Sequence, residues 1–360
     1  MLVYYLLFVL FVTISLLEDR LTPKAKAQVL FLSGALLIVF AGLRSNKVGA
    51  DYKTYEILYQ SVQRSSDLFT HPLHTVVSSR LEPSFLLLAS FIKAHFNDGI
   101  KVLIFFYAIM GISLKIKAIQ KISDYKLLSL LIYFSGVFFL HDMNQIRAGV
   151  AIGFLLLSIP YIIEKNYKIF FFLLLIAVLF HYSAIIFGLF FFVNNKKINQ
   201  TVYLLILVIP IILCLLKLDV ISLLCKFEFG IFSEKMRAYS ELQKIAHSKI
   251  NIFNFGVLLQ IIVSLFFIMN AEKSKNKYAV ILTKISCFGV AFFYLFSSAP
   301  VIAFREFELL SCVQIFLIPL SIDLVKPKVF AQLFVIVISL AYFLNQMLIN
   351  SIFGPYSTFF

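Results

Sequence analysis

The chain has 360 residues, of which 61% are hydrophobic and only 14% are charged, so its composition excludes an ordinary soluble protein. A soluble domain is about one quarter charged. Apolar runs long enough to cross the ~30 Å hydrocarbon core of a bilayer recur along the whole chain. We therefore expect an all-α, polytopic integral membrane protein, because a membrane β-barrel would show short alternating segments instead.

The apolar runs predict about twelve transmembrane helices, with about ten as the lowest number that fits. The first run, Leu2 to Leu17, has no basic residues before it and no cleavage site, which indicates a retained helix. The segment 84–96 is apolar but brief, and it fits an interfacial or re-entrant position. The predicted spans are 2–17, 29–43, 100–114, 127–141, 146–163, 168–181, 183–193, 201–218, 252–270, 279–297, 307–325 and 329–348.

Positive charge orients these helices. In a soluble protein a net charge of +14 would suggest nucleic acid, but here most of the basic excess is explained by short connections between apolar runs, and we expect no nucleic-acid partner. Such connections are usually cytoplasmic. All six can be cytoplasmic only if both termini lie outside, the chain crosses about twelve times and a helix breaks near His181. The connections are 18–28, 115–126 (which begins at Lys115), 164–168, 194–200, 271–278 and 326–328.

The opposite face then receives the longer and more polar connections. We expect one polytopic membrane domain over residues 1–360, with two larger extracytoplasmic loops at 44–82 and 219–251. The second loop mixes apolar and charged residues, which fits one or two helices on the membrane surface as well as a solvated connector. The predicted cytoplasmic connections are short and leave no room for a nucleotide-binding domain.

Several familiar site motifs are absent from the sequence. It has no Gly-rich phosphate loop, no dinucleotide fingerprint and no zinc-protease motif. It also lacks two aspartates separated by one residue, the usual metal-holding motif of a nucleotide-sugar transferase. These absences weigh against ATP-driven pumps, zinc proteases and metal-dependent use of nucleotide sugars, and we expect neither a metal nor a cofactor.

Three arginines stand at predicted outer ends of helices. Arg44 follows the second span, Arg147 opens the span that starts at 146, and Arg305 lies in the turn 298–306. A guanidinium binds phosphate bidentately and keeps its charge, so three that converge would suit a pyrophosphate. Asn144 lies three residues before Arg147, on the same helix face, with Gln145 between them. The alternative for each arginine is that it reaches the membrane interface or pairs with a neighbouring acid.

Three side chains are candidates for a general base. His181 interrupts a very apolar run, and imidazoles titrate near neutral pH, although a hydrogen-bonded structural histidine is the alternative. Asp51 and Glu82 compete with it, but a carboxylate needs desolvation to act as a base near neutral pH. Glu82 precedes Pro83 and therefore also fits a helix N-terminus. Tyr52 could stack on a sugar ring or simply belong to the interfacial aromatic belt.

An ordered set of short motifs covers nearly the whole chain. The motifs are Gly42-Leu43-Arg44, Val48-Gly49-Ala50-Asp51-Tyr52, Glu82-Pro83-Ser84-Phe85, Met143-Asn144-Gln145-Ile146-Arg147, Phe180-His181-Tyr182-Ser183-Ala184, Arg305 and Pro355-Tyr356. With this set the chain resembles the EpsG/Wzy-type polysaccharide polymerases. In two positions it departs from the family pattern: Ala148 follows the arginine where a polar residue is frequent, and Ser84 replaces a usual glycine.

The resemblance implies a glycosyltransferase of O-antigen, capsule or exopolysaccharide assembly. Such an enzyme transfers the growing glycan from undecaprenyl pyrophosphate to the non-reducing end of a new lipid-linked repeat unit. It works at the outer face of the bacterial cytoplasmic membrane. Its partners would be the lipid bilayer and the undecaprenyl-pyrophosphate-linked oligosaccharide, with a chain-length regulator and a flippase as further partners.

The resulting hypothesis is a metal-independent glycosyl transfer. Arg147 and Arg305, supported by Arg44, neutralise the pyrophosphate as it leaves. His181 or Asp51 takes the proton from the attacking sugar hydroxyl. The residues that orient sugar or phosphate are Tyr52, Asn144 and Gln145.

Two other functions remain open at this point. An O-antigen ligase performs the same chemistry with lipid A core as the acceptor. A transporter that flips the lipid-linked saccharide would show polar residues at the bilayer midplane and an internal repeat of helices. The sequence shows no such repeat, and its charges collect at one predicted face.

Overall fold

The computed structural model describes residues 1–62, 81–221, 250–349 and 353–359. Among these residues the chain forms helices and no β-strand, apart from one isolated bridge between Arg44 and Thr358. The predicted all-α class is therefore confirmed. Most of the predicted loop 219–251, and residues 63–80 of the loop 44–82, lie outside the described residues.

The helices of the N-terminal half follow one another through short turns. The sixth α-helix continues directly as a π-helix, and the eighth is followed by a 3₁₀-helix. The elements are α1 (Leu2–Ser15), α2 (Pro23–Gly42), α3 (Tyr52–Ser61), α4 (Pro83–His95), α5 (Gly99–Ile122), α6 (Lys126–Ile132) with its π-helix (Tyr133–Asp142), α7 (Ile146–Ile163), α8 (Tyr167–Phe180) and the 3₁₀-helix (Tyr182–Phe191).

The C-terminal half continues the helical pattern. Its elements are α9 (Gln200–Leu215), α10 (Phe255–Asn270) with a 3₁₀ turn (Ala271–Lys273), α11 (Ala279–Leu295), α12 (Pro300–Ser311), α13 (Gln314–Leu324) and α14 (Lys328–Leu344) with a π-helix (Asn345–Ile349). The chain divides into two compact units, of which the first is Met1–Phe191 with Val325–Phe360 and the second is Phe192–Leu324. The expectation of a single membrane domain stays a prediction.

Local sequence explains where several helices begin. α2 starts at Pro23, and the side chain of Thr22 accepts a hydrogen bond from the backbone of Ala25 at 3.3 Å. Proline in the first turn has no N–H to leave unsatisfied, and a threonine cap satisfies one of the free donors. Asn166 and Asn199 cap α8 and α9 in the same way. The cap residues thus fix the ends of apolar runs that would otherwise be ambiguous.

Five helical segments are long and apolar enough to cross a membrane: α2, α5, α7, Phe255–Lys273 and Lys328–Ile349. The pair α12 and α13 is bent by 48° and makes a sixth if it counts as one span. Five further apolar helices among the described residues have 10–17 residues: α1, α8, the 3₁₀-helix Tyr182–Phe191, α9 and α11. The chain is a polytopic membrane protein, and the crossing of about twelve helices stays a prediction.

The predicted break near His181 is present. α8 ends at Phe180, His181 has extended backbone angles (φ −155°, ψ 115°), and the 3₁₀-helix begins at Tyr182. The chain therefore changes direction at the histidine, which places its side chain at a helix end.

One basic connection begins later than predicted. α5 runs on to Ile122, and Lys115 lies inside it with 0% of its surface exposed. Lys117 and Lys121 on the same helix are exposed. The assignment of Lys115 to a cytoplasmic connection was wrong, because a charged residue in an apolar run also fits a buried ion pair.

The predicted span 307–325 and the turn 298–306 before it were also wrong. α12 begins at Pro300, so Arg305 lies inside a helix, and the helical axis bends between α12 and α13. Charged residues at 305, 306 and 308 interrupt the apolar pattern there without ending the helix. Proline at the first helical position sets the true start.

α5 and α7 approach each other closely at Gly153. A Cβ atom at this position would lie 2.6 Å from Cβ of Leu114, closer than real Cβ atoms come to other atoms. A Cβ atom at Gly136, in contrast, would come no closer than 3.6 Å to its nearest neighbour, the Tyr342 ring. Small residues at helix contacts let backbones approach, which is how membrane helices gain packing energy.

We predict that Gly153→Ala lowers the thermal midpoint of the purified protein in detergent. Overpacking of this kind costs about 1–3 kcal/mol, which exceeds the ~1 kcal/mol that alanine gains over glycine in a helix. Gly136→Ala is the matched control and should leave the midpoint equal or higher. Equal midpoints for the two variants would contradict the tight contact between α5 and α7.

Candidate functional site

The first unit brings together three residues that the sequence singled out: Glu82, Arg147 and His181. Oε2 of Glu82 accepts a hydrogen bond from the Arg147 guanidinium, and Oε1 lies 3.4 Å from Nδ1 of His181. The Tyr182 hydroxyl also donates to the backbone carbonyl of Leu81 at 3.2 Å. One carboxylate thus joins the start of α4, the first turn of α7 and the end of α8.

The environment of Glu82 favours its charged form. Burial by itself raises the pKa of a carboxyl, but the hydrogen bond with His181 and the charge of Arg147 outweigh it here. The pKa of Glu82 therefore lies below its ordinary value of 4.5. A carboxylate this well stabilised is a poor proton acceptor, so Glu82 fits a partner of the base better than the base itself.

His181 is held with one ring nitrogen towards Glu82. A hydrogen on Nδ1 that is donated to the carboxylate leaves the lone pair on Nε2, the nitrogen on the other side of the ring. The carboxylate also stabilises the imidazolium that forms when Nε2 takes a proton. The side chain is 15% exposed, so it is largely buried but still accessible. The arrangement suits a general base.

Arg147 is held by aromatic rings as well as by Glu82. Its guanidinium carbon lies 5.6 Å from the ring centres of both Tyr55 and Phe85. Aromatic faces attract a guanidinium and restrict its orientation. The Nε atom is buried and has no hydrogen-bond partner among the described residues, so one donor is available.

Asn144 connects two of the sequence motifs. Its side-chain oxygen accepts a hydrogen bond from the backbone N–H of Asp51 at 2.9 Å. Gly49, with φ +90°, passes close to the same turn, where a Cβ atom would lie 3.0 Å from the Met143 carbonyl oxygen. Asn144 was predicted to orient substrate; in the structure it fixes the segment that carries Asp51.

Asp51 is the second candidate base, and its role stays a prediction. Its side chain is half-buried, and desolvation raises the pKa of this carboxyl although the charge of Arg147 opposes the shift. A raised pKa makes a carboxylate a better base near neutral pH. Asp51 precedes the first residue of α3, and its side chain makes no capping hydrogen bond.

Arg44 and Tyr52 lie together on the same side of this unit. The Arg44 guanidinium carbon is 5.8 Å from the centre of the Tyr52 ring, and both side chains are buried. Tyr52 is only 4% exposed, so its ring contacts the arginine and is not an open platform for a sugar. Its predicted role in stacking on substrate stays a prediction.

The two remaining candidates are Gln145 and Arg305. Gln145 immediately precedes α7, its backbone N–H donates to Leu140, and its side chain hydrogen bonds with His141. Arg305 belongs to the second unit, where it lies exposed on α12. The convergence of Arg305 with the other two arginines stays a prediction.

Sequence reasoning missed a buried network beside this cluster. Nζ of Lys115 lies 2.7 Å from Oδ1 of Asp142 and 2.7 Å from the Gly149 carbonyl oxygen. The Tyr133 hydroxyl donates to the other Asp142 oxygen at 2.8 Å. Since Gly149 lies in the same helical turn of α7 as Arg147, the network fixes the start of that helix. The signal in the sequence was a single lysine within an apolar run, flanked by Gly111.

Gly111 and Gly149 make room for this carboxylate. A Cβ atom at Gly111 would lie 2.5 Å from Oδ1 of Asp142, and one at Gly149 would lie 2.6 Å from the His141 carbonyl oxygen. Any larger residue would clash with these oxygen atoms, so both positions require glycine. The end of the π-helix and the start of α7 can meet Lys115 only because these two side chains are missing.

We predict that Lys115→Met strongly destabilises the protein. Breaking a buried ion pair leaves an uncompensated charge, which costs about 3–5 kcal/mol. Adding Asp142→Asn to that variant should recover part of the loss, because the amide that replaces the carboxylate is uncharged. The measurement is the thermal midpoint in detergent, with Lys117→Met on the exposed face of the same helix as control. Equal midpoints for the Lys115 and Lys117 variants would contradict the network.

The depressed pKa of Glu82 leads to a prediction in the acid range. A group with a lowered folded pKa stabilises the fold above its unfolded pKa, and this contribution is lost as the pH falls. Wild-type protein should therefore melt above Glu82→Gln at neutral pH, and the difference should close below pH 4.5. Thermal midpoints across a pH series test this. A difference that closes near neutral pH would show that Glu82 is not held ionised.

Comparison with known proteins gives the family. The sequence model of the EpsG family matches residues 28–358. The amylovoran biosynthesis protein AmsC of Erwinia amylovora is 25% identical over 167 residues, which are 46% of this chain and 44% of that protein. The chain thus spans less than half the length of this relative. No solved structure matches the chain. Since the family match covers every motif quoted above, the chain belongs to the EpsG family.

Proposed function

We propose that the protein is a polysaccharide repeat-unit polymerase of the bacterial cytoplasmic membrane. It transfers the growing glycan from undecaprenyl pyrophosphate to the non-reducing end of a new lipid-linked repeat unit, at the outer face. Membership of the EpsG family and the similarity to an amylovoran biosynthesis protein support a role in polysaccharide biosynthesis. The observation that carries the proposal is the Glu82 carboxylate shared by Arg147 and His181.

The cluster supplies a base for the acceptor. Nε2 of His181 takes the proton of the attacking sugar hydroxyl, and Glu82 stabilises the imidazolium that results. The hydroxyl oxygen forms a bond to the anomeric carbon of the donor, and the bond from that carbon to the phosphate oxygen breaks. The electron pair of this bond leaves with the pyrophosphate. Asp51, with its raised pKa, is the alternative base.

Arginines stabilise the leaving pyrophosphate. Arg44 and Arg147 supply positive charge for this task, and the buried Nε–H of each has no hydrogen-bond partner among the described residues. Fixed cations aimed at developing negative charge act strongly where water is scarce. The pyrophosphate linkage of the donor already carries the energy for transfer, so no nucleotide is required. The partners are the lipid-linked oligosaccharide and the bilayer, with a flippase and a chain-length regulator in the same pathway.

A transporter of the lipid-linked saccharide is the second candidate. The bent pair α12 and α13 and the buried pair of Lys115 and Asp142 favour it, because transporters use broken helices and intramembrane charges. Lengthening of lipid-linked units by purified protein without an ion gradient would exclude a pure transporter. An O-antigen ligase shares the proposed chemistry and differs in its acceptor.

We predict that His181→Gln abolishes long polysaccharide chains in a strain that lacks the native gene. Loss of a general base costs about 10²–10⁴-fold in rate. Arg147→Lys should also fail, because an ammonium cannot replace the planar fork. The readout is the surface polysaccharide profile on a gel, with Lys117→Met as control. A single repeat unit on the acceptor indicates a lost polymerase, whereas none indicates a lost ligase; normal chains for both variants would contradict the proposal.

The orientation can be tested at the two ends of α2. Lys24 and Lys47 are both exposed, and they flank this helix. In a variant whose four native cysteines are replaced by serine, we predict that Lys47→Cys reacts with a membrane-impermeant maleimide in intact cells. Lys24→Cys should react only after the cells are opened. The reverse pattern would place the candidate site on the cytoplasmic side.

A further inference from the structure

Among the described residues of the first unit, two basic side chains are almost wholly buried: Arg44 and Lys115, with 1% and 0% of their surface exposed. Lys115 faces the Asp142 carboxylate at 2.7 Å. Among the described residues, Arg44 has no carboxylate within 4.0 Å. Asp142 acts on Arg44 from a greater distance, but both of its oxygens are already bonded to Lys115 and Tyr133. Within the described part of the chain, one buried cation therefore lacks its anion.

The protein groups around Arg44 satisfy it only in part. Its guanidinium donates to the Ala41 carbonyl and lies over the Tyr52 ring, while its Nε is buried with no partner among the described residues. Burial lowers the pKa of Arg44 to about 10, so the group is still charged at neutral pH. A guanidinium cannot give up its proton under these conditions as an ammonium can. A buried charge of this kind calls for a counter-ion.

Arg147 is in the opposite situation. It already has a carboxylate partner in Glu82, and that carboxylate also holds His181. An anion at Arg147 would compete with Glu82 for the same guanidinium and release the histidine. An anion at Arg44 would displace no acid. The two arginines of this unit are therefore suited to different tasks.

We infer that Arg44 is the primary binding residue for a phosphate or pyrophosphate group, and that Arg147 chiefly positions Glu82 and His181. This rests on the proposed function in one respect, since the pyrophosphate of the lipid carrier is then the physiological ligand. The chemistry of the site itself is that of any phosphate ester. From the sequence we expected Arg147 to be the main phosphate-binding residue and Arg44 to support it; this inference reverses the two roles.

The C-terminal segment 353–359 adds hydroxyl groups beside Arg44. The backbone N–H of Ser45 donates to the Ser357 carbonyl at 2.8 Å, and the two serine hydroxyls are 2.6 Å apart. The Tyr356 hydroxyl donates to the Phe40 carbonyl at 2.9 Å, and it acts electrostatically on Arg44. Hydroxyls of this kind are ready donors to phosphate oxygens.

The test uses the purified full-length protein in detergent, with inorganic pyrophosphate as the probe. We expect pyrophosphate to raise the thermal midpoint of wild type and of Lys47→Gln, an exposed control in the same loop. Arg44→Met should bind pyrophosphate about 10- to 100-fold more weakly, as expected for the loss of charge-assisted hydrogen bonds. Arg147→Met should keep most of the shift, because Arg147 contributes less than Arg44 to binding the probe. An unchanged shift in Arg44→Met would overturn the inference.

The same variants show whether a lost shift reflects misfolding. Without pyrophosphate, Arg44→Met should melt at or above wild type, because it removes a charge that has no partner. Arg147→Met should melt below wild type, because Glu82 loses its arginine partner and keeps only the longer contact with His181. A ligand-free midpoint for Arg44→Met as low as that for Arg147→Met would mean that the arginine is structural, which would overturn the inference. Arg44→Lys, which keeps a charge, should retain part of the binding.

Two lipid probes identify the source of the phosphate group. Undecaprenyl pyrophosphate should compete with inorganic pyrophosphate through Arg44. Nanodiscs of phosphatidylglycerol should raise the thermal midpoints of wild type and Arg44→Met equally. If they stabilised wild type more than Arg44→Met, the ligand of Arg44 would be a lipid headgroup, which would overturn its assignment to the undecaprenyl carrier. A protein that binds pyrophosphate through Arg44 but does not lengthen glycans supports this inference and contradicts the proposed function. A protein that lengthens glycans but binds pyrophosphate equally well without Arg44 contradicts this inference and leaves the proposed function intact.

Discussion

A charged side chain in the interior of a membrane protein needs a partner, since a lone buried charge costs several kcal/mol. In the first unit this requirement connects segments that are far apart in sequence. Glu82 joins Arg147 and His181, and Lys115 joins Asp142 to the Gly149 carbonyl at the start of α7. Apolar packing against lipid or other helices is not directional, whereas these contacts are. They fix the ends of α4, α7 and α8 relative to one another.

The proposed function depends on the donors and acceptors that these contacts leave available. The carboxylate orients the histidine, so that one ring nitrogen remains as a proton acceptor. Arg147 is confined between Tyr55 and Phe85 and keeps one free donor. The Lys115 network behind them prevents the first turn of α7 from shifting. A site held this rigidly can stabilise a developing charge without reorganising during the reaction. Arg44 has no carboxylate partner among the described residues, which is why we infer that a phosphate ligand binds there.

Much of this arrangement was readable in the sequence, for physical reasons. Apolar runs separated by polar breaks predicted that the chain is helical, and the histidine within an apolar run predicted the end of α8. The motifs at helix ends singled out Glu82, Arg147 and His181, but only the structure shows that one carboxylate contacts both of the other side chains. The sequence could not show that Lys115 is buried, because its partner Asp142 is 27 residues away and only the tertiary structure brings them together. It also placed Arg305 in a turn, because charged residues hid the start of α12 at Pro300.

Glycan lengthening by the purified protein is the direct test of polymerase activity that depends on His181 as the base. Lipid-linked repeat units would be incubated with wild type and with His181→Gln in detergent, with a chelator and without nucleotide or ion gradient, and the products separated by size. We expect wild type to give a ladder of multiples of the repeat unit and His181→Gln to give almost none. Equal ladders for the two proteins, or no ladder for wild type, would contradict it.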